Sequence, residues 1–328
     1  MKRTTLLLAA ATVVALSACA QSSGADPAVA DDAAGSEFPT TADGRKYLVH
    51  PSEIRRGGPP QDGIPSIDRP RFVSVSEADE WIDDDELVLA LDHDGVKRVY
   101  PFQILVWHEI VNDTVAGDPI VVTYCPLCGS GIAYERVLDG EAVEFGTTGR
   151  LYNSNLVMYD RLTDTWWTQI GGRAIVGELT GQRLDRVSID TVVWGDWKRV
   201  HPDSEVLSRE TGHDRPYGVD PYGDYYEDTY LMFPVENEDD RMHPKTVIFG
   251  IEVNGEFKAY RETDVAERGE LDDTVAGVPI QVERDEAGVV TFTNRESGEE
   301  IVYERDFWFA WFAFHPETAV YGREDSES

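Results

Sequence analysis

An internal repeat constrains the fold of this 328-residue chain more than any other feature of its sequence. Residues 94–122 match residues 254–282 at a constant offset of 160, without a gap. Within this match, residues 113–117 and 273–277 are both Asp-Thr-Val-Ala-Gly. A second match at an offset of 114 aligns two tryptophans and a histidine, namely Trp194, Trp197 and His201 with Trp308, Trp311 and His315. Agreement in both order and spacing predicts two degenerate copies of one structural module.

The two copies differ in length, and the difference predicts an insertion. Because the offsets of 160 and 114 differ by 46, the first copy carries roughly 46 extra residues, between about Phe145 and Thr191. We expect four segments after the N-terminal region: a first module at 46–210, an acidic linker at 211–242, a second module at 243–323 and an acidic tail at 324–328. The linker is rich in Asp and Tyr and is expected to be exposed.

Local patterns within the first copy predict mostly strands. Asp94-Gly95 lies between two segments, Val88–Leu91 and Lys97–Tyr100, which is typical of a hairpin. Residues Phe102–Val111 follow a proline and are apolar nearly all round, so they predict a buried helix. Residues Ile120–Tyr124 predict a further strand. The fold class that we expect is strand-rich α+β, built from β-rich modules.

The first residues have the parts of an export signal. Lys2 and Arg3 precede a short apolar run, Leu6–Leu16, and small residues follow it. Because Cys19 comes directly after Leu-Ser-Ala, residues 1–18 resemble the signal peptide of a lipoprotein, whose cysteine is lipidated. The alternative is an ordinary signal peptide. We therefore predict a protein outside the cytoplasm, anchored to the cell membrane by lipid at Cys19.

Charge and composition exclude several classes of partner. The chain has 62 acidic and 29 basic residues, a formal net charge of −33, which excludes a nucleic-acid partner that needs a basic face. It also disfavours docking to anionic lipid through a basic patch. The basic residues are mostly arginine, and this acid-rich, lysine-poor composition predicts operation in high salt. Residues 19–45 have almost no large apolar side chain and predict a flexible tether.

A Cys-x-x-Cys motif is the strongest candidate for chemistry. Cys125 and Cys128 follow a buried-looking strand, and their spacing allows the two sulfurs to meet. Neither cysteine has a counterpart in the second copy, and His108 is replaced there by Arg268. The three residues therefore occur only in the copy with the insertion, which predicts a working site in the first module alone.

Three interpretations of the cysteine pair remain open at this point. In the first interpretation the pair is a redox-active dithiol, with His108 as a proton acceptor or as a cation that lowers the thiol pKa. Alternatively, Cys125, Cys128 and His108, with Met158 as a further ligand, bind copper or zinc. The third interpretation is a structural disulfide in a non-catalytic binding or scaffolding protein. The first two require a redox or metal-delivery partner that the sequence does not identify.

Polar residues of the insertion and of the segment after His108 are candidates for binding a small ligand. They are Glu109, Arg150, Tyr152, Asn153, Ser154, Asp160 and Arg161. Arg150 or Arg161 is expected to bind an anion if these side chains converge. The alternative is a Tyr/Asp/Arg network that braces the insertion.

Four segments carry a resemblance to a known family. They are His108–Asp113, Thr123–Cys128, Leu151–Ser154 and Met158–Arg161. They resemble the family catalogued as domain of unknown function 3179, and the likeness extends from about Ile82 to Tyr321. The resemblance implies an exported or lipid-anchored protein, and it brings no established reaction, substrate or cofactor.

Overall fold

Short antiparallel strands make up most of the regular structure in residues 38–323, the part of the chain that the computed structural model describes. These residues also contain five short α-helices, so the strand-rich α+β class predicted from the sequence is confirmed. None of the helices in this part is long and apolar enough to cross a membrane. The predicted signal peptide, Cys19, most of the predicted tether and the tail at 324–328 lie outside the described residues.

The elements follow one another along the chain in this order. Before residue 143 they are β1 (Arg55–Arg56), β2 (Phe72–Ser74), α1 (Val75–Ala78), β3 (Leu87–His93), β4 (Val96–Pro101), α2 (Phe102–His108), β5 (Ile110–Val115), β6 (Asp118–Cys125), β7 (Ser130–Glu135), β8 (Val137–Leu138) and β9 (Glu141–Ala142). Up to residue 207 they are β10 (Phe145–Tyr152), β11 (Asn155–Asp160), β12 (Trp166–Thr168), β13 (Ala174–Val176), β14 (Arg186–Val187), β15 (Asp190–Val193), α3 (Trp194–Val200) and β16 (Glu205–Leu207). The last group is β17 (Val247–Val253), β18 (Glu256–Arg261), α4 (Glu262–Arg268), β19 (Glu270–Val275), β20 (Val278–Arg284), β21 (Val290–Asn294), β22 (Tyr303–Phe307), α5 (Trp308–Phe314) and β23 (Ala319–Val320).

These strands form six sheets within the described residues. Their orders are β1-β10-β11-β12-β13, β14-β7-β6-β5, β15-β3-β4-β16-β2, β22-β17-β18-β23, β19-β20-β21 and β8-β9. The neighbouring strands are antiparallel except at β16–β4 and β18–β23, which are parallel. Residues of the predicted insertion therefore supply four of the five strands in the first of these sheets.

The hairpin between β3 and β4 has the geometry that its two turn residues favour. Asp94 has φ 49° and Gly95 has φ 79°, both in the left-handed region that a type I′ turn requires. His93 and Val96 are register partners on either side of this turn. The predicted hairpin is confirmed.

Helix α2 begins where the sequence predicts but ends earlier. It starts directly after Pro101 and ends at His108, because Glu109 adopts a left-handed conformation with φ 59°. Residues Ile110–Val115 then form β5, which pairs with β6. The prediction of a helix up to Val111 is wrong at its last three residues, since pairing with the neighbouring strand outweighs a helical pattern in an apolar run.

The largest hydrophobic core joins three parts of the chain around the cysteine motif. Cys125 and Cys128 belong to it, together with Met158 and Trp167 from the β10–β13 sheet and Phe307 from β22. The Cys-x-x-Cys turn therefore lies in the interior, between strands that are far apart in sequence.

Two segments predicted to be linkers contact the folded part. In residues 38–45, the guanidinium of Arg45 donates to the carbonyl of Asp164 over 2.7 Å. In residues 211–242 most acidic side chains are exposed, but Tyr225 is only 3% exposed. Three tyrosines of the predicted acidic linker, Tyr222, Tyr225 and Tyr226, thus pack on the core that contains the cysteines.

Candidate functional site

The turn that carries the two cysteines is set by its proline and its glycine. Pro126 opens a single 3₁₀ turn that ends at Cys128, with φ restricted by its ring. Gly129 closes the turn at φ 60°, and a Cβ placed there would lie 2.9 Å from the ring of Phe307. Both the left-handed backbone and the close approach of Phe307 require glycine. The Cys-Pro-Leu-Cys-Gly sequence therefore folds both sulfurs toward the same point.

The two cysteines form a buried pair of free thiols. Their Sγ atoms are 3.2 Å apart, with the Cys125 thiol donating to the Cys128 sulfur. Cys125 is 2% exposed and Cys128 is fully buried. Burial is the largest cause that raises the pKa of Cys128 well above its usual range, and the hydrogen bond from Cys125 raises it further. Cys128 is therefore a protonated thiol in this arrangement at neutral pH.

A tight turn from the β10–β11 sheet supplies the polar contacts of the thiol pair. Asn153 and Ser154 are both left-handed, with φ 50° and 62°. This turn places the Ser154 carbonyl oxygen 3.5 Å from Cys128 Sγ and 4.0 Å from Cys125 Sγ, where it accepts from the thiols. The side-chain amide of Asn153 donates to the carbonyl of Ala313 over 3.3 Å. Of the predicted polar set, Ser154 contacts the thiols, and it does so through its backbone.

Behind the turn, two buried amides orient one another and face Cys128. The Asn155 amide nitrogen donates to Cys128 Sγ over 3.5 Å and to the Gln169 side-chain oxygen over 2.7 Å. The Asn155 oxygen accepts from the backbone of Ile170, and Gln169 donates to Ser130 Oγ over 3.2 Å. Because each amide group has a partner, the nitrogen of Asn155 is held toward the sulfur. Asn155 was not among the predicted site residues, although its place next to the Asn-Ser turn is a sequence signal for it.

Three tyrosines cover the thiol pair from outside, and we call Tyr222, Tyr225 and Tyr226 the aromatic cover. They pack on the core that contains both cysteines, and neighbouring rings lie 5.9–6.3 Å apart. The hydroxyl of Tyr225 donates to the carbonyl of Leu127 over 3.1 Å. Sequence analysis missed these residues because they lie in an acidic stretch that predicts an exposed linker.

Two buried carboxyl groups act on the site: Asp306 on Cys128, and Glu109, together with both cysteines, on Tyr222 of the aromatic cover. Glu109 is 8% exposed, and burial raises its pKa to about 8. Asp306 on β22 is fully buried, and burial raises its pKa to about 6, although the Ser130 hydroxyl and the charge of Arg186 lower it. The charge of Asp306 contributes to the raised pKa of Cys128. The site therefore combines a thiol pair with an acid that titrates close to neutral pH.

His108 does not join the thiol pair, in contrast to the prediction. Its Nδ1 lies 2.7 Å from the carbonyl oxygen of Pro65, and its Nε2 lies 2.6 Å from the hydroxyl of Tyr217. Both ring nitrogens thus have partners other than the thiols. Burial lowers its pKa to about 4, so the imidazole is neutral at pH 7 and supplies no cation to the thiols.

The predicted metal ligands are likewise not brought together. Within residues 38–323, three ligand atoms of His, Cys, Asp or Glu lie within 4.8 Å of one another only at His93, Asp94 and Asp118, toward the surface. Met158 is fully buried in the same core as the thiols, where its thioether serves as apolar packing. A copper or zinc site of Cys125, Cys128 and His108 is therefore not formed in this arrangement.

Asp160 and Arg161 stabilise the insertion away from the thiols. Asp160 accepts from the indole nitrogen of Trp167 over 2.9 Å and from the backbone of Thr163 over 2.6 Å. Arg161 pairs with Asp68 and with Glu144, each at 2.7 Å. These contacts agree with the bracing network that was the alternative to a ligand pocket.

Arg150 and Tyr152 point to the other face of β10. Their neighbour Leu151 lies in the core with the cysteines, and side chains alternate along a strand. The guanidinium of Arg150 lies 4.8 Å from the ring centre of Trp166. The hydroxyl of Tyr152 donates to Glu236 over 3.0 Å.

The fold and the site define a strand-rich α+β protein with a buried Cys-x-x-Cys pair beneath an aromatic cover. The chain belongs to the family described as Protein of unknown function (DUF3179), which matches residues 61–318. The resemblance predicted from the sequence motifs is thereby confirmed. No curated protein and no solved structure matches the chain significantly.

Proposed function

We propose that Cys125 and Cys128 form a thiol–disulfide exchange centre whose substrates are the thiols or disulfides of other proteins. One observation supports this most directly: two free thiols in one Cys-x-x-Cys turn have their sulfurs 3.2 Å apart. A disulfide has a sulfur–sulfur bond of about 2.0 Å, so closure requires a shift of only about 1 Å. The turn is thus arranged to pass between a dithiol and a disulfide.

The exchange proceeds in two balanced steps. In the first, the Cys125 thiolate attacks one sulfur of a partner disulfide, and the other partner sulfur leaves and takes up a proton. In the second, the Cys128 thiolate attacks Cys125 Sγ, the mixed disulfide breaks, and the second partner thiol is released. The cysteine pair loses two electrons and the partner disulfide gains them. Run in reverse, the same steps oxidise a partner dithiol.

The groups around Cys128 suit the second step. Asn155 donates to its sulfur, and a donor at this position stabilises a thiolate as it forms. The charge of Asp306 acts on Cys128, and burial raises the pKa of Asp306 to about 6. At neutral pH its carboxylate is therefore mostly ionised and is the proposed acceptor of the Cys128 proton.

We further propose that the fold arose as two copies of one module, of which only the first carries the exchange centre. Three pairs of hydrogen bonds at corresponding positions support this. A tyrosine donates to an aspartate in each copy, Tyr100 to Asp113 and Tyr260 to Asp273, both over 2.7 Å. Two tryptophans of each copy also have corresponding partners: Trp194–Asp79 and Trp308–Asp239, both 3.1 Å, and Trp197–Ser204 and Trp311–Thr318, 3.0 and 2.9 Å. The sheet order β15-β3-β4-β16 also corresponds to β22-β17-β18-β23. The first copy would then carry the insertion that forms β10–β13.

Glu109 is a position where the first copy departs from this correspondence. It occupies the left-handed end of α2, and the corresponding residue at the end of α4 is Gly269, with φ 71°. A buried glutamate in a conformation that favours glycine costs stability, and such strain is commonly retained at functional sites. This contrast supports a working site in the first copy.

We propose that the protein is exported and anchored to the outer face of the cell membrane by lipid at Cys19. The sequence of residues 1–19 supports this location. Its partners would then be exported proteins with thiols or disulfides. A Cys19→Ala variant should move from the membrane fraction to the soluble extracytoplasmic fraction, and retention of this variant at the membrane would contradict lipid anchoring.

A redox titration of the full chain tests the exchange centre. The protein is equilibrated in buffers of defined thiol–disulfide potential, and Cys125 and Cys128 are then quantified by alkylation and mass spectrometry. We expect a reversible two-electron transition between about −270 and −120 mV, the range of exchange proteins. Cys125→Ser and Cys128→Ser variants, as matched controls, should lose it. A pair that remains oxidised below about −300 mV would overturn the proposal.

A structural disulfide is the second candidate, and the burial of both sulfurs favours it. Cys125 and Cys128 are 2% and 0% exposed, so a partner reaches them only if the aromatic cover moves. The same titration distinguishes the two functions, since a structural disulfide would remain oxidised below about −300 mV.

Elemental analysis of the purified protein tests the remaining alternative, a soft metal held by the two thiolates. A stoichiometric copper or zinc that both serine variants lose would replace the exchange function.

A further inference from the structure

A second polar site lies on the face of the β10 sheet opposite to the thiols. Trp166 on β12 is half-buried there, and two guanidinium groups lie against its indole. The Cζ atoms of Arg45 and Arg150 are 4.7 and 4.8 Å from its ring centre. Guanidinium groups in such contacts have restricted orientations, so their donors face a defined direction.

A third arginine is adjacent to this pair. Arg56 on β1 is the register partner of Arg150 on β10. Like charges directly opposite each other in an antiparallel pair destabilise it. Burial is the main cause that lowers the pKa of Arg150, and the charges of Arg56 and Arg45 lower it further, so both act against the charge of Arg150. We call Arg45, Arg56 and Arg150 the arginine cluster.

The described residues, 38–323, provide few acids that pair with these arginines. Among them no ion pair joins a carboxylate to Arg56 or Arg150, whereas Arg45 has Asp164 at 4.0 Å and its charge also acts on Asp43. By contrast, Arg161 of the same sheet region pairs with two acids at 2.7 Å. In a chain with 62 acidic and 29 basic residues, acids are abundant, so their absence at this cluster requires an explanation.

We propose that the arginine cluster binds an anionic ligand through a phosphoryl group. Guanidinium forks match the oxygens of phosphate with two parallel hydrogen bonds, and a doubly charged group offsets the repulsion among three cations. The contacts of Arg45 and Arg150 with Trp166 hold two of the guanidinium groups in place before the ligand binds, which reduces the entropy lost on binding. The phosphoryl group belongs either to free phosphate or to the headgroup of a membrane lipid, and the site is separate from the thiol pair.

Isothermal titration calorimetry of the full chain at low ionic strength tests this site. The two probes are inorganic phosphate and glycerophosphoglycerol, the soluble headgroup of phosphatidylglycerol. The variants are Arg56→Gln and Arg150→Gln, and Arg71→Gln serves as the matched control because Arg71 is exposed and paired with Glu210. Each variant is checked by circular dichroism, so that loss of binding is separated from loss of folding.

We expect saturable binding of at least one probe with a stoichiometry of one. Loss of one guanidinium should weaken binding about tenfold in Arg56→Gln and in Arg150→Gln, and leave it unchanged in Arg71→Gln. Tighter binding of inorganic phosphate supports a free ligand, and tighter binding of the headgroup supports a lipid. Absence of saturable binding for both probes, or equal affinity in the folded Arg150→Gln variant, would overturn the proposal.

Discussion

The hydroxyl of Tyr225 donates to the carbonyl of Leu127 over 3.1 Å, and Leu127 lies between the two cysteines. This hydrogen bond attaches the aromatic cover to the middle of the turn that carries the thiols. The ammonium of Lys245 lies beneath the same segment, where it donates to Asp228 over 2.7 Å and to the carbonyl of Tyr230 over 2.8 Å. Access to the thiols therefore depends on how firmly these contacts hold the cover.

A Tyr225→Phe substitution tests the contact between cover and turn. It removes the hydroxyl but keeps the ring, so the free energy of unfolding should fall by only about 1 kcal/mol. The cysteine thiols should react faster with a small thiol reagent, because the cover opens more readily. Tyr230→Phe is the matched control, since Tyr230 is 63% exposed. An unchanged thiol reaction rate in Tyr225→Phe would show that this hydrogen bond does not limit access.

Replacing Lys245 with methionine tests the anchor of the cover. The Lys245 side chain is fully buried, and its loss leaves the carboxylate of Asp228 and two carbonyl groups without their donor. We expect the free energy of unfolding to decrease by roughly 3 kcal/mol, measured with urea. Lys97→Met, which breaks a partly exposed pair with Asp92, should cost no more than about 1 kcal/mol. Equal losses in both variants would contradict an anchoring role.

Two glycine-to-alanine substitutions separate backbone strain from close packing. Gly129 and Gly140 have φ 60° and 81°, but only at Gly129 does an added Cβ meet another group, the ring of Phe307. Gly140→Ala should cost about 1 kcal/mol of unfolding free energy for the left-handed backbone alone. Gly129→Ala should cost roughly 2–4 kcal/mol because Phe307 must also move. Comparable urea midpoints for the two variants would contradict the packing contribution.

Glu109 predicts a pH dependence of stability. Burial raises its pKa from 4.5 to about 8 in the folded protein. A carboxyl with a raised pKa contributes its stability fully below about pH 4.5, and this contribution is lost as the pH rises through 8. Relative to the unsubstituted protein, the Glu109→Gln variant should therefore become more stable by roughly 3–5 kcal/mol between pH 5 and pH 9.

The control for this prediction is Glu80→Gln, because Glu80 is exposed. Urea unfolding at the two pH values gives the free energies for all three proteins. A constant difference between Glu109→Gln and the unsubstituted protein would mean that Glu109 is ionised in the folded state, contrary to the prediction.

Local sequence signals predicted those parts of the fold that depend on few residues. The turn at Asp94-Gly95 follows from the backbone preferences of two adjacent residues. Helix α2 was predicted to begin correctly but to end too late, since Ile110 and Val111 pair with β6. An apolar run is compatible with both structures, and only a partner strand decides between them.

The candidate site likewise combines one feature set by adjacent residues with others set by the tertiary structure. The sequence by itself determined that Cys125 and Cys128 meet, because only two residues of one turn separate them. Only the tertiary structure decided which groups surround them: it placed Ser154, Asn155 and Asp306 at the thiols and turned His108 toward Pro65 and Tyr217. Such neighbours come from strands and turns far apart in the chain. Their meeting depends on sheet pairing and core packing, which residue spacing along a single sequence does not specify.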